Sequence, residues 1–103
     1  MEAGELPIAC NLTDSDFQER RAGVLKTVAG GVVETKELED GYAYRFPSDI
    51  SWLATLAKLI TVERECCPFL QFNLRLEPAE GPIWLELIGP PGTKDFLNSI
   101  FGA

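Results

Sequence analysis

The stretch 51–76, SWLATLAKLITVERECCPFLQFNLRL, changes its hydrophobic period part-way along, and that change decides the fold class. As far as Cys67 the apolar residues Trp52, Leu53, Leu56, Leu59 and Ile60 recur at three- and four-residue spacing, the mark of a helix with one buried face. Pro68 has no N–H and cannot continue the helix, so Cys66 and Cys67 are read as its last residues. From Phe69 the period is two. Leu70, Phe72, Leu74 and Leu76 face one way, and Gln71, Asn73, Arg75 and Glu77 the other, as on a half-buried strand.

Toward the C-terminus, Pro78 to Pro82 holds a turn. Ile83, Leu85 and Leu87 then form the inward side of a last strand that pairs back antiparallel. Trp84 and Ile88 make its other side unusually apolar, which predicts either a homodimer interface or packing under a terminal segment. Pro90-Pro91-Gly92 breaks the chain, and Thr93 is read as the cap of a short helix bearing Phe96, Leu97, Ile100 and Phe101. Toward the N-terminus, Ser48 or Asp49 caps the helix of the opening stretch. Before it, Val32 to Leu38 and Tyr42 to Phe46 read as strands joined around Asp40-Gly41, with Tyr42, Tyr44 and Phe46 alternating onto the core side. A first helix starts from a Thr13 cap and runs to about Ala29, with Phe17, Val24, Leu25 and Val28 largely on one face and Gly30-Gly31 as a stop. Leu6 to Asn11 is a short apolar run that reads as a strand.

The order is therefore β-α-β-β-α-β-β-α. It predicts an α+β chain with a mainly antiparallel sheet covered by helices, a ferredoxin-like two-layer sandwich variant. At 103 residues there is room for one core, so 1–103 is read as a single domain, with residues 1–5 loose. No internal repeat, linker or low-complexity segment interrupts it.

Sixteen acidic against nine basic residues give a net charge of −7 and no basic patch, which argues against nucleic acid and anionic lipid as partners. No apolar run reaches a membrane span, and the start Met1-Glu2-Ala3-Gly4-Glu5 lacks the features of a secretion signal, so a cytoplasmic setting is expected. Histidine is absent, which excludes Ser-His and Cys-His nucleophile activation and histidine-bearing zinc sites. The three cysteines, an odd number, point to reduced thiols rather than a disulfide framework.

Those thiols carry the reactive chemistry. On a helix, Glu63 lies three and four residues before Cys66 and Cys67 and reaches both. Adjacent Cα atoms lie about 3.8 Å apart, closer than an ordinary disulfide requires, so the pair is better suited to sharing one soft ion or to dividing attacking and resolving roles. A helix C-terminus opposes thiolate formation, and Arg64, the nearest cation in sequence, points somewhat away. A metal would itself drive deprotonation, so ligation is favoured over a free nucleophile. Three thiolates without histidine suit Cu(I), Hg(II) or As(III), with zinc next if Glu63 or water supplies a fourth ligand. Cys66 and Cys67 are thus expected ligands, Cys10 a third, and Glu63 a ligand or proton-handling neighbour. Core packing competes for all three cysteines, and Glu63 could instead pair with a strand arginine. In an ordinary ferredoxin-like sheet the entry of the first helix and the exit of the second are expected at opposite ends, so Cys10 joins the pair only if it sits early or mid-strand or if the topology differs.

Cys10-Asn11-Leu12-Thr13, Gly41-Tyr42-Ala43-Tyr44-Arg45-Phe46-Pro47, Glu63-Arg64-Glu65-Cys66-Cys67-Pro68-Phe69 and the Trp84-Leu85 strand together span nearly the whole chain. On these residues it resembles a small, uncharacterised bacterial protein family with an early Cys-x-Leu and a Glu-Arg-x-Cys-Cys-Pro-Phe motif. The resemblance implies that the cysteines form a site, in a setting of heavy-metal resistance, without naming a reaction. Two functions follow as expectations: binding of a soft metal or small thiophilic ligand, or a thiol-based enzyme, either a reductase or an organometal-cleaving activity. A non-catalytic dimeric interaction module is the third.

Overall fold

The computed structural model describes residues 14–101. Its elements are α1 (Ser15–Gly31), β1 (Glu34–Leu38), β2 (Gly41–Phe46), α2 (Ser51–Cys66), β3 (Gln71–Leu76), β4 (Ile83–Ile88) and α3 (Thr93–Phe101). The expected strand over 6–11 and the Thr13 cap lie outside the described residues. Within them the chain is α+β, with a four-stranded antiparallel sheet in the order β1-β2-β4-β3.

Local chemistry sets the ends of α1 and α2. Asp14 starts α1 by accepting a hydrogen bond from the Phe17 N–H at 3.0 Å. Gly30 and Gly31 do not stop α1, which runs through both. Gly31 is instead needed for contact, because a Cβ there would overlap the Trp52 ring. At α2 the cap position is Ile50, and Asp49 holds the turn by accepting from the Ser51 N–H.

The two hairpins differ. Leu38 pairs with Gly41, so Glu39 and Asp40 form the two-residue loop between β1 and β2, and Gly41 already belongs to β2. Its lack of a side chain lets the Leu87 carbonyl approach, since a Cβ would overlap that oxygen. Between β3 and β4, Ala79 and Glu80 both adopt positive φ and the Gly81 N–H donates to the Pro78 carbonyl, a type I′ turn. At α3 the Thr93 hydroxyl donates to the Pro90 carbonyl at 2.6 Å rather than accepting from the helix.

All three helices contribute to one buried cluster on one face of the sheet. Phe17, Leu25 and Val28 of α1, Leu56, Leu59 and Cys66 of α2, and Leu97 of α3 pack with Tyr44, Phe46, Ile83, Leu85 and Leu87. This is a two-layer arrangement. On the other face Trp84 is buried, with the Lys36 ammonium 4.9 Å and the Arg75 guanidinium 5.8 Å from its ring centre. The ring therefore lies beneath charged side chains of the same sheet. No helix among the described residues is long and apolar enough to cross a membrane.

Candidate functional site

The helices α1 and α2 run antiparallel. Arg21, in the first half of α1, bonds Glu63 near the end of α2, while Gly31 at the far end of α1 packs on Trp52 near the start of α2. The entry of α1 and the exit of α2 thus share one end of the molecule, which overturns the expectation that they are opposed. The reason is the β1-β2 hairpin: it returns the chain to the end where α1 finished, so α2 must run back along α1.

At that shared end lie four side chains. Cys66 is the last residue of α2, and Cys67 is one position beyond it as the C-cap, at φ −125° and ψ 77°, with its N–H bonded to the Glu63 carbonyl at 2.6 Å. Cys66, Cys67 and Glu63 are buried to within 1% of complete enclosure. The Glu63 carboxylate takes the Arg21 Nε at 2.8 Å on Oε2 and the Arg21 Nη2 at 3.2 Å on Oε1. The Cys67 thiol donates to the same Oε1 at 3.3 Å, and Arg21 Nη2 reaches the sulfur at 3.8 Å.

This two-point clamp fixes the carboxylate and compensates its burial. Arg21 is the functional side chain that sequence reasoning missed, having looked to Arg64, which is exposed, and to the strands. A signal was present: Arg21 follows Phe17 by four residues and precedes Leu25 by four, so it lies on the core-facing stripe of α1, where a cation needs a buried acid.

Burial is the largest cause pushing the Cys67 thiol up to about 12, followed by the Glu63 carboxylate, with Arg21 opposing both. At neutral pH the group is a protonated thiol with its proton already directed at an acceptor. Cys66 differs, being disulfide-bonded, whereas Cys67 is the free cysteine among the described residues. That corrects the expectation of reduced thiols throughout and excludes a Cys66–Cys67 bond. Cys10 lies outside the described residues. Among the described residues no three Cys, Asp or Glu side chains converge as a metal cluster. Comparisons with known protein families, with curated proteins and with solved structures find no match.

Proposed function

We propose that the reduced chain binds a thiophilic ion such as Hg(II), Cu(I) or As(III) through Cys66 and Cys67, with Cys10 as a further sulfur. The observation that carries this reading is the buried Cys67 thiol donating to a carboxylate that Arg21 clamps, one residue from a second buried sulfur. Thiols bind such ions by losing their protons, and Glu63 stands where the Cys67 proton leaves. The burial of both sulfurs suits a bare ion better than a bulky disulfide substrate. Two adjacent sulfurs also match the low coordination numbers soft ions accept, whereas zinc calls for four ligands.

Thiol-based catalysis is the second reading, and the disulfide state of Cys66 favours it. The two are separated by titrating the reduced chain with Hg(II), Cu(I), As(III) and Zn(II) under native mass spectrometry. The binding reading predicts one soft ion per chain, lost in Cys66→Ser and in Cys67→Ser. No adduct, or an adduct that survives both substitutions, would sink it; turnover of an organomercurial or a disulfide substrate would move the assignment to the enzyme. We also propose the ferredoxin-like sandwich as the parent arrangement, supported by two hairpins joined through α2 and by helices on one sheet face. Membership of the resembled bacterial family and a cytoplasmic setting belong to the same reading.

A further inference from the structure

We infer that β3 is a docking edge for a second copy of the chain, β3 pairing antiparallel with β3 across a two-fold axis so that two four-stranded sheets become one. In the order β1-β2-β4-β3 the edges among the described residues are β1 and β3. Bonds at the ends of the ladders fix which backbone groups β3 turns outward. The Glu77 N–H donates to the Pro82 carbonyl and the Gly89 N–H to the Asp40 carbonyl, so along β4 the even-numbered residues bond β3 and the odd-numbered ones bond β2. Gln71, Asn73 and Arg75 therefore turn their backbone toward β4, whereas Phe72, Leu74 and Leu76 present their N–H and C=O groups to the edge. The side chains of these three lie on the helix side of the sheet, since Leu74 stands opposite the core residue Leu85.

The two edges differ in chemistry. On β1, Glu34, Lys36 and Glu37 are exposed, and Glu37 on the helix side takes the Lys94 ammonium at 2.7 Å, charges that oppose a further strand. Beside β3 the surface is apolar. Of the four exposed large apolar residues among the described ones, Leu74 and Leu76 lie on this strand, and Ile50 lines one groove with Leu76. The neighbouring helix is α2, because α1 packs against both α2 and α3 and α3 packs over β2. Ile60 and Arg64 fall on the flank of α2 turned away from Thr55, Lys58 and Val62, which line its cleft with α1, and so border the β3 edge.

Charge commits this surface to a second copy. Arg64 lies at the end where β3 begins, and Asp49, Glu77 and Glu80 gather at the end where it finishes. Antiparallel pairing about Leu74 sets the Arg64 end of each copy against the acidic end of the other. The same register places Leu74 opposite Leu74, Phe72 opposite Leu76, Arg75 opposite Asn73 and Glu77 opposite Gln71, so no like charges meet. The homodimer expected at Trp84 thus belongs to this edge, while the Trp84 ring lies beneath Lys36 and Arg75. The contact is one strand wide, smaller than a permanent interface, so the dimer depends on concentration.

Sedimentation equilibrium of the full-length chain over a concentration series should show a reversible monomer–dimer equilibrium. Leu74→Arg sets two guanidinium groups opposite each other and should raise the dissociation constant by at least about tenfold, with the far-ultraviolet circular dichroism unchanged. Arg64→Glu should weaken the dimer as well. Hydrogen–deuterium exchange reads the edge itself. The amides of Phe72, Leu74 and Leu76 should be protected where the dimer is populated and should exchange freely on dilution and in Leu74→Arg. Those of Thr35 and Glu37, which face outward on the β1 edge, should exchange freely throughout. A monomer at every concentration, or a dimer that either substitution leaves unchanged, would overturn the proposal. So would protection of Phe72, Leu74 and Leu76 that persists in the monomer, because the chain would then cover its own edge.

Discussion

Arg21 and Glu63 each depend on the other. Removing one side of a buried ion pair leaves an uncompensated charge, whereas replacing both by apolar groups of similar volume leaves none. Arg21→Met should therefore destabilise the fold by about 3 kcal/mol in urea denaturation, and Arg21→Met combined with Glu63→Leu should recover most of that loss. A double variant as unstable as the single one would show that the pair is not the source of the effect. Cys67 gives a pH signature. Its thiol titrates higher folded than unfolded, so its contribution is complete below the ordinary value of 9.0 and is lost as pH rises toward about 12. The buried Tyr44 hydroxyl, also shifted upward by burial, adds its own alkaline loss. The difference between wild type and Cys67→Ser isolates the thiol, and it should shrink steadily across that window; a flat difference would contradict the assignment.

At the scale of elements, the turn between β3 and β4 is the place where sequence and backbone disagree. Ala79 and Glu80 occupy the left-handed region at φ 59° and 57°, where Asn and Gly are the favoured residues. Ala79→Asn with Glu80→Gly should raise stability by up to about 1 kcal/mol in thermal unfolding. A lower melting temperature would show that the alanine and glutamate side chains contribute something the backbone argument omits. The described helices were legible from periodicity, because Leu56 and Leu59 on a 3.6 period are fully buried; the period of two over Phe72, Leu74 and Leu76 marked β3 as a strand but overstated its burial, since on this sheet edge Phe72 is half-buried and Leu74 and Leu76 are 39% and 50% exposed. The ends of the elements were less legible. Gly41 looked like a turn residue but is set by the approach of the Leu87 carbonyl, and Gly31 by the Trp52 ring, both long-range contacts that local propensity does not contain. The same limit hid the partner of Glu63: helical spacing placed Glu63 beside the cysteines, but only the antiparallel packing of α1 on α2 brings Arg21 there.

Over the whole molecule, the sheet separates a buried sulfur-bearing layer from a charged outer face. Among the described residues of the outer face, Arg45 pairs with Glu34 at 2.8 Å, Arg75 with Glu86 at 3.0 Å, and Trp84 lies beneath Lys36 and Arg75. The reactive chemistry is gathered at the single end where α1 begins and α2 finishes. The central claim is that Cys66 and Cys67 act there as ligands while Glu63 stays outside the coordination shell. X-ray absorption spectroscopy of the reduced chain loaded with one equivalent of Hg(II) tests it most directly. The account predicts a first shell made of sulfur alone, depleted by one scatterer in Cys67→Ser; a first shell of oxygen or nitrogen, or one that Cys67→Ser leaves unchanged, would contradict it.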